Sequence, residues 1–355
     1  MQTKLVSIDP QNVLSFENEI KNAAEIIGKG GLVAFPTETV YGLGGDATNP
    51  DAANKIYLAK GRPSDNPLII HISTPEEAEN YTYTCELYYK LASKFMPGPL
   101  TIVMRSRDSV PTNTRGGLDT VAVRCPLNPI ARRLIALAGR PIAAPSANLS
   151  GSPSPTTASH VFDDMNGRIE MIIDGGECEI GLESTIVKIE EDNTLTLLRP
   201  GQITLDELAC IAPVSIASAV TDQLREGEVA ISPGMKYRHY APDAPLMLVN
   251  GSTDDFINFV SHNESEKSAV ICFSDEYDEI VSKLHNTDTY ILGARDDIAS
   301  QAQHLFSLLR EVDKHNYSAI YAPVPSKEGV GLALYNRMIR AAAHTIIDLR
   351  GDKNG

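Results

Sequence analysis

The sequence predicts an α/β protein in two parts: a twisted mixed β-sheet flanked by helices, followed by a small, doubly wound, Rossmann-like α/β domain. Residues 1–210 mix helix–strand alternation with hairpins, whereas strands and helices alternate regularly beyond about residue 243. The 355 residues also exceed what one ordinary hydrophobic core requires. We therefore predict a first domain at 1–210, a linker at 211–242 and a second domain at 243–355.

Helices of the first half are predicted from apolar periodicity and from residues typical of helix ends. One face of a helix at 16–28 carries Ile20, Ala23, Ala24 and Ile27. The Asn-Pro pairs at 49–50 and 128–129 combine an N-cap with a proline in the first turn. The segments 74–77 and 204–207 have the spacing of capping boxes, so each is predicted to start a helix.

Strands are predicted where short apolar runs lie between turn residues. In the first half they are 32–35, 67–72, 100–104, 120–124, 141–144, 169–173, 184–189 and 194–198. In the second half they are 246–249, 269–273, 289–292 and 319–323, separated by helices at 253–262, 276–285, 297–314 and 331–343. This second pattern is typical of a small doubly wound domain.

Composition limits the function classes. The formal net charge of −15 disfavours a surface devoted to nucleic acid. Five scattered cysteines without a CxxC pair argue against a disulfide framework or a zinc site. We see no signal peptide and no membrane-spanning run, so we expect a cytoplasmic protein. The P-loop, G-x-S-x-G and H-E-x-x-H motifs are absent from the sequence.

The stretch PTETVYGLGGDA at 36–47 is predicted to be a polar loop that contacts a small ligand. Gly42, Gly44 and Ala47 also satisfy the dinucleotide fingerprint, but six residues separate the strand from the first glycine and no suitably spaced acid follows. Thr37, Glu38 and Thr39 could offer hydroxyls and a carboxylate to the ligand, and the glycines could let the backbone approach it. A purely structural turn is the alternative.

A second stretch, KGRPSDNPLIIH at 60–71, has the character of an anion-binding loop. Lys60 and Arg62 leave a helix end, and prolines stiffen the loop that presents them with Asn66. Cations at a helix C-terminus can instead merely complement the helix dipole. His71, at the end of the next strand, could be a ligand-binding or a structural residue.

Further polar groups lie at strand ends, where ligands of α/β sheets gather. Arg124 and Arg199 each close a strand, although either could form an ordinary surface ion pair. The hydroxyl-rich stretch 144–156 follows a strand and could be a binding loop or a disordered linker. GLEST at 181–185 places hydroxyls at the start of another strand.

Seven motifs, in order, resemble the YrdC-like domain of threonylcarbamoyl-AMP synthases. They are PTETVYGLG, KGRPSDNPLIIH, TVAVRCP, APSANLSG-SPSPT, GLEST, LLRPG and SPGMKYRHYAP. The resemblance covers roughly residues 13–205, and the remainder resembles the long, two-domain form of this family. Lys188 departs from the family pattern, which often has an acid there.

The resemblance implies a site residue by residue. Threonine and the bicarbonate-derived carboxyl would be held by Thr37, His71, Arg124, the Ala144 backbone and Ser184. ATP would be held by Lys60, Arg62, Asn66, Thr120, Ser146, Ser154, Arg199 and Tyr240 or Tyr237. Lys60 and Arg62 would be the catalytic cations.

The implied activity is the synthesis of threonylcarbamoyl-AMP from L-threonine, bicarbonate and ATP, with release of pyrophosphate. The product would supply the t6A modification at adenosine 37 of tRNAs, by hand-over to a tRNA threonylcarbamoyl-transferase machinery. Mg²⁺ is expected to accompany ATP, without a protein-held metal. The segment 211–242 is expected to close over the nucleotide as a lid. The alternatives are an RNA-binding or regulatory module without catalysis, and an enzyme that carbamoylates another acceptor.

Overall fold

The computed structural model describes residues 2–220, 240–263 and 267–350, and the chain divides into two compact units. Unit 1 comprises Met1–Ser150 and Ser154–Tyr237, and unit 2 comprises Gly151–Pro153 and Arg238–Gly355. Most of the predicted linker, 221–239, lies outside the described residues, so the domain boundaries stay predictions. No helix in the described part of the chain is long and apolar enough to cross a membrane.

Among the described residues, unit 1 contains one mixed sheet. Its strands are β1 (Lys4–Ser7), β2 (Val33–Phe35), β3 (Gly42–Asp46), β4 (Ile69–His71), β5 (Leu100–Arg105), β6 (Thr120–Arg124), β7 (Ile142–Ala143), β8 (Met171–Asp174), β9 (Thr185–Ile189), β10 (Leu195–Arg199) and β11 (Val214–Ile216). They lie in the order β1-β8-β2-β3-β7-β4-β6-β5-β9-β10-β11. Parallel and antiparallel pairs both occur, for example β4 with β6 and β5 with β6, as the predicted mixed sheet requires.

The helices of unit 1 in the described residues are α1 (Glu17–Gly28), α2 (Pro50–Lys60), α3 (Glu86–Phe95), α4 (Pro129–Ala138), α5 (Ala158–Met165) and α6 (Leu205–Ala209). The starts of α1, α2, α4 and α6 agree with the sequence signals, whereas α3 and α5 were not predicted. Asn49 and Asn128 accept backbone N–H groups at the starts of α2 and α4. Thr204 and Glu207 form the predicted capping box of α6, which satisfies two otherwise unpaired donors.

The prediction that a capping box at 74–77 starts an α-helix is wrong. The segment forms a 3₁₀ helix, Pro75–Asn80, and the Thr74 side chain makes no capping hydrogen bond. The Glu77 carboxylate accepts the Ser73 backbone N–H and hydroxyl instead, so it does not complete the box with Thr74. The following α-helix starts only at Glu86.

The polar loop predicted at 36–47 ends earlier than the sequence indicated. Gly42–Asp46 forms the buried strand β3, antiparallel to β2 and β7. Glycine is a poor strand former, which is why the pattern favoured a loop. Close neighbours explain the glycine: a Cβ on Gly44 would lie 2.7 Å from Phe35 Cε1 and 2.8 Å from Ile142 Cγ2.

A buried cluster on one side of the sheet joins α1 and α4 to β2, β7 and β8. Ile20 and Ile27 of α1 pack with Leu134 of α4, and both helices cover Val33 and Ile142. Removal of this apolar surface from water stabilises the part of the sheet from which the polar loops emerge.

Unit 2 is a small parallel α/β unit, as the regular alternation predicted. Its strands are β12 (Leu246–Asn250), β13 (Ser268–Phe273), β14 (Thr287–Gly293), β15 (Ala319–Pro323) and β16 (Ile346–Asp348). Its helices are α7 (Thr253–Asn263), α8 (Tyr277–Lys283), α9 (Ile298–Asp313) and α10 (Gly331–Ala341). The strand order is β14-β13-β15-β12-β16, with every pair parallel. The fold class is confirmed, although β16 was not predicted.

Gly44→Ala should lower the free energy of unfolding by about 1–3 kcal/mol, because the added methyl group has no space in the packed strand. Urea denaturation of the full chain measures the effect. Gly28→Ala is the matched control. The Cβ that alanine would add there meets no heavy atom of another described segment within 4 Å, and alanine has a higher helix propensity than glycine. Equal loss of stability in both variants would contradict this explanation of the glycine strand.

Candidate active site

The loop between β2 and β3, residues 36–41, is buried and internally hydrogen-bonded. Thr37 donates its hydroxyl to the Val40 carbonyl at 2.7 Å, and its Oγ1 lies 2.8 Å from Thr39 Oγ1. The Tyr41 N–H binds the Pro155 carbonyl, which holds the loop against the hydroxyl-rich segment. Thr37 is therefore fixed before any substrate arrives.

A buried ion pair ties this loop to β6. Glu38 Oε1 lies 2.7 Å from Arg124 Nη2, with side-chain exposures of 3% and 5%. Arg124 also donates from Nη1 to Thr39 Oγ1 at 2.8 Å, and Glu38 accepts the Leu127 N–H through its other oxygen. The guanidinium is thus held in one orientation at the end of the strand.

The sheet register brings several predicted residues into one row. His71 on β4 lies opposite Arg124 on β6, and Arg124 lies opposite Thr101 on β5. Thr101 Oγ1 lies 2.7 Å from Ser184 Oγ, just before β9. Arg199, at the end of β10, donates to the Ser184 hydroxyl at 3.1 Å and to its carbonyl at 3.0 Å. This row crosses five neighbouring strands or their ends, and we call it the strand-end row. It consists of His71, Arg124, Thr101, Ser184 and Arg199.

His71 is neutral in the folded protein. Burial, and secondarily the positive charge of Arg124, lower the pKa of His71 from 6.5 to about 3. The ring lies edge-on to Phe35 at 6.3 Å, and Nδ1 has no hydrogen-bond partner among the described residues. A neutral imidazole with one unused nitrogen can accept or donate a hydrogen bond to a small ligand.

Lys60 organises the hydroxyl-rich segment. Its ammonium donates to the Ser146 carbonyl at 2.5 Å and to the Asn148 carbonyl at 2.6 Å, and the side chain is buried. Ser146 in turn donates its hydroxyl to Asn148 Oδ1 at 2.5 Å. The Ala144 N–H is bound to Ile69 O, so this segment leaves the sheet from a fixed point. The charge of Lys60 is therefore positioned together with the Ser146 hydroxyl.

Arg62 and Asn66 lie together in the loop after α2. Arg62 donates from Nη2 to the carbonyls of Asn66 and Pro67 at 3.3 and 3.4 Å. The Tyr57 hydroxyl also binds the Asn66 carbonyl at 3.0 Å. Both polar atoms of the buried Asn66 amide lack partners among the described residues, so this amide is available for a ligand.

The remaining predicted residues occupy different surroundings. Ser154 donates its hydroxyl to Glu183 Oε1 at 2.6 Å, in a buried pair. Thr120 begins β6, four residues before Arg124 and roughly 13 Å from it along the strand. Tyr240 belongs to unit 2, where its ring packs against Phe306 with centroids 5.1 Å apart. Tyr237 lies outside the described residues, so the predicted contacts of both tyrosines with ATP stay predictions.

Thr101 was not predicted from the sequence, and Glu38 was predicted only to offer its carboxylate to a ligand. Glu38 orients Arg124, and Thr101 links Arg124 to Ser184. Glu38 stands within the motif PTETVYGLG, so its charge was a usable signal. Thr101 begins an apolar strand and carries no sequence signal, because its role arises from strand register alone.

The site contains no activated thiol within the described residues. Cys125 follows Arg124 directly, and burial raises the pKa of Cys125 to about 12. Burial also raises the pKa of Cys178. Both groups are protonated near neutral pH, so neither is a thiolate nucleophile. No group of three or more metal-binding side chains occurs in the described ranges.

Comparisons with known proteins agree with this architecture. A family model described as "Telomere recombination" matches residues 25–201, and one described as "Threonylcarbamoyl-AMP synthase, C-terminal domain" matches residues 203–343. The threonylcarbamoyl-AMP synthase of Pyrococcus abyssi is 44% identical over 338 residues, covering 93% of this chain and 96% of that protein. The Bacillus subtilis threonylcarbamoyl-AMP synthase is 41% identical over 352 residues, covering 98% and 100%.

A solved structure gives the same result in three dimensions. The crystal structure of P. abyssi Sua5 complexed with L-threonine has a TM-score of 0.86 and 41% identity, covering 98% of this chain and 100% of that chain. The resemblance inferred from the seven motifs is confirmed. This chain therefore belongs to the family of threonylcarbamoyl-AMP synthases, enzymes that use ATP to make threonylcarbamoyl-AMP for the t6A modification of tRNA.

Proposed function

We propose that unit 1 binds L-threonine, bicarbonate and ATP and releases threonylcarbamoyl-AMP and pyrophosphate. The observation that supports this proposal is the buried strand-end row, where a fixed guanidinium, a neutral imidazole and hydroxyl groups lie side by side. Such a line suits a small substrate that carries carboxylates and a hydroxyl. The product would be used for t6A at adenosine 37 of tRNAs.

The threonine side of the site would be formed by Thr37, His71, Arg124, the Ala144 backbone and Ser184. The threonine amine must be neutral to attack CO₂ or bicarbonate, and the product of that attack is an N-carboxylate. Arg124 can bind a carboxylate through charge-assisted hydrogen bonds, while Glu38 holds its orientation. The neutral His71 can contact the polar substrate without adding a second positive charge.

The ATP side would be formed by Lys60, Arg62, Asn66, Thr120, Ser146, Ser154 and Arg199. The N-carboxylate attacks the α-phosphorus of ATP and pyrophosphate leaves, so negative charge spreads over phosphate oxygens. Lys60 and Arg62 would stabilise that charge from fixed positions, which lowers the barrier without reorganisation. Mg²⁺ would be bound by the triphosphate oxygens and would neutralise part of their charge.

Product protection and delivery complete the proposal. The mixed anhydride reacts with water, so closure of the segment 211–242, with Tyr240 or Tyr237 over the nucleotide, would protect it. Hand-over to a tRNA threonylcarbamoyl-transferase machinery would follow release. The scattered cysteines support a reducing compartment, and we place the enzyme in the cytoplasm.

Pyrophosphate release by the full chain should require ATP, bicarbonate and L-threonine together. L-serine should be a poorer substrate by about 10–200-fold, because one methyl group in an apolar contact is worth that much discrimination. A coupled pyrophosphate assay, with each substrate omitted in turn, measures both effects. Full turnover without bicarbonate, or equal rates with serine, would refute the assignment.

Arg62→Ala should reduce pyrophosphate release by at least about 100-fold, on the scale of losing one preorganised donor to the transition state. The melting temperature should change little, because the hydrogen bonds of Arg62 to the loop carbonyls of Asn66 and Pro67 are long, at 3.3 and 3.4 Å. Lys29→Ala is the matched control: Lys29 also follows a helix of unit 1 and pairs on the surface with Glu25. Equal rates in both variants would make Arg62 an ordinary surface cation.

The stability of the protein should depend on pH through His71. The unfolded histidine has a pKa near 6.5 and the folded one about 3, so acid protonates the unfolded state first. The free energy of unfolding therefore keeps its full value above pH 6.5. It decreases by about 1.4 kcal/mol per pH unit as the pH falls from there towards 3. Urea midpoints at pH 6.5 and 5 measure this slope. His71→Gln should reduce the slope, and an unchanged slope would show that His71 does not titrate as described.

A further inference from the structure

Unit 2 contains a crevice that the proposed reaction does not use. From β12, the chain passes through α7 to β13 and through α8 to β14, in one direction along the sheet. From β14 and β15 the connections through α9 and α10 run the other way. The neighbouring strands β12 and β15 are thus followed by connections that run in opposite directions, and right-handed crossovers place α7 and α10 on opposite faces of the sheet. In open α/β sheets, ligands bind outside the carboxyl ends of the strands at such a switch point.

A cavity of about 580 Å³ lies at this edge of the sheet. Each of the five strands or the loop after it contributes to its wall: Asn250 ends β12, Phe273 ends β13, Arg295 follows β14, Lys327 follows β15 and Arg350 follows β16. The volume falls within the range of about 300–1,000 Å³ that is typical of small-molecule sites. We name this space the unit 2 cavity.

The charges around the unit 2 cavity favour an anion. Residues 211–355 carry 13 Lys and Arg against 20 Asp and Glu, yet Arg295, Lys327 and Arg350 line the cavity with Asp348 as the one acid among its lining residues. Asp348 accepts from Arg350 through both carboxylate oxygens, at 3.1 and 3.0 Å. Arg295 is likewise paired with Glu276, so among the three cations Lys327 is the one without a carboxylate partner in the described residues.

Lys327 supplies the charge that is least neutralised. Its ammonium lies 4.2 Å from the centroid of the Tyr335 ring, and it has no carboxylate partner within the described ranges. Arg295, by contrast, forms an ion pair with Glu276 and covers the Phe273 ring at 4.5 Å. Lys327 is thus held on an aromatic surface, with its charge available to a ligand.

The walls also provide contacts for an organic group. Tyr335 is 5% exposed and Phe273 is 4% exposed, so both rings are fixed by packing. Gln301, which is buried, donates to the Ala294 carbonyl at 2.6 Å and to the Arg295 carbonyl at 3.1 Å, which braces the loop that carries Arg295. A rigid cavity with aromatic walls and local cations suits a phosphate ester better than it suits a bare ion.

We infer that unit 2 binds a small organic phosphate of mononucleotide size in this cavity. Lys327 and the two arginines would contact the phosphate, and the aromatic side chains would contact the organic body. No residue of this cavity belongs to the proposed active site of unit 1, so the inference does not depend on the reaction proposed there.

Isothermal titration of the full chain with AMP tests the inference. Since AMP can also enter the proposed ATP site, the comparison is between variants. Lys327→Glu should lose one AMP site per chain, or weaken it at least about tenfold, as expected for replacing a charge-assisted contact by a repulsive one. Lys314→Glu is the control, because it changes the net charge by the same amount. Lys314 follows α9, at the amino-terminal edge of the sheet, so this variant should bind AMP as the wild type does.

Two further measurements separate the possible results. Inorganic phosphate should compete at least about tenfold more weakly than AMP if the aromatic walls contribute. Equal competition would overturn the organic phosphate in favour of a simple anion site. Equal AMP binding by the two lysine variants would overturn the site itself. Pyrophosphate release should persist in Lys327→Glu, which separates this result from a failure of the reaction proposed for unit 1.

Discussion

The buried ion pair between Glu38 and Arg124 is the interaction on which the active site depends. It joins the loop after β2 to the end of β6, two segments that are 86 residues apart in the chain but adjacent in the site. Removing one partner of such a pair typically costs 3–5 kcal/mol, because the other charge remains buried without compensation. Arg124 in turn fixes Thr39, and its positive charge adds to burial, the larger cause, in lowering the pKa of His71. One ion pair therefore sets the geometry and the hydrogen bonding of its neighbours and contributes to the charge state of His71.

A second buried cation of unit 1, Lys60, is also held in a fixed orientation. Lys60 donates to two backbone carbonyls and an amide oxygen. Carbonyl oxygens orient an ammonium without cancelling its charge, so the cation keeps its attraction for phosphate. An acidic protein can bind a polyanion in this way, by orienting a few cations within the site.

Sequence reasoning predicted most of the fold because local rules decide most of its elements. The N-caps at Asn49 and Asn128 and the alternation in unit 2 depend on neighbouring residues alone. It failed where distant contacts decide. The glycines of β3 indicated a loop, but Phe35 and Ile142 leave space only for glycine at position 44 of this strand. The 3₁₀ helix after Thr74 reflects a competing hydrogen bond from Ser73 to Glu77. Within the site, charged residues were predictable from motifs. The part played by Thr101 was not, because strand register placed it beside Arg124.

The pairing of β1 with β8 has a consequence for synthesis of the chain. Lys4–Ser7 lies beside Met171–Asp174, so β1 pairs with a strand that is synthesised more than 160 residues later. At about 5–20 residues per second, the amino-terminal strand waits roughly 8–30 s for its partner. During that interval its backbone donors and acceptors are exposed to other nascent chains. The strand has only four residues, and Lys4 and Ser7 flank its two apolar residues, so it is short and partly polar, which limits its tendency to aggregate before the sheet closes.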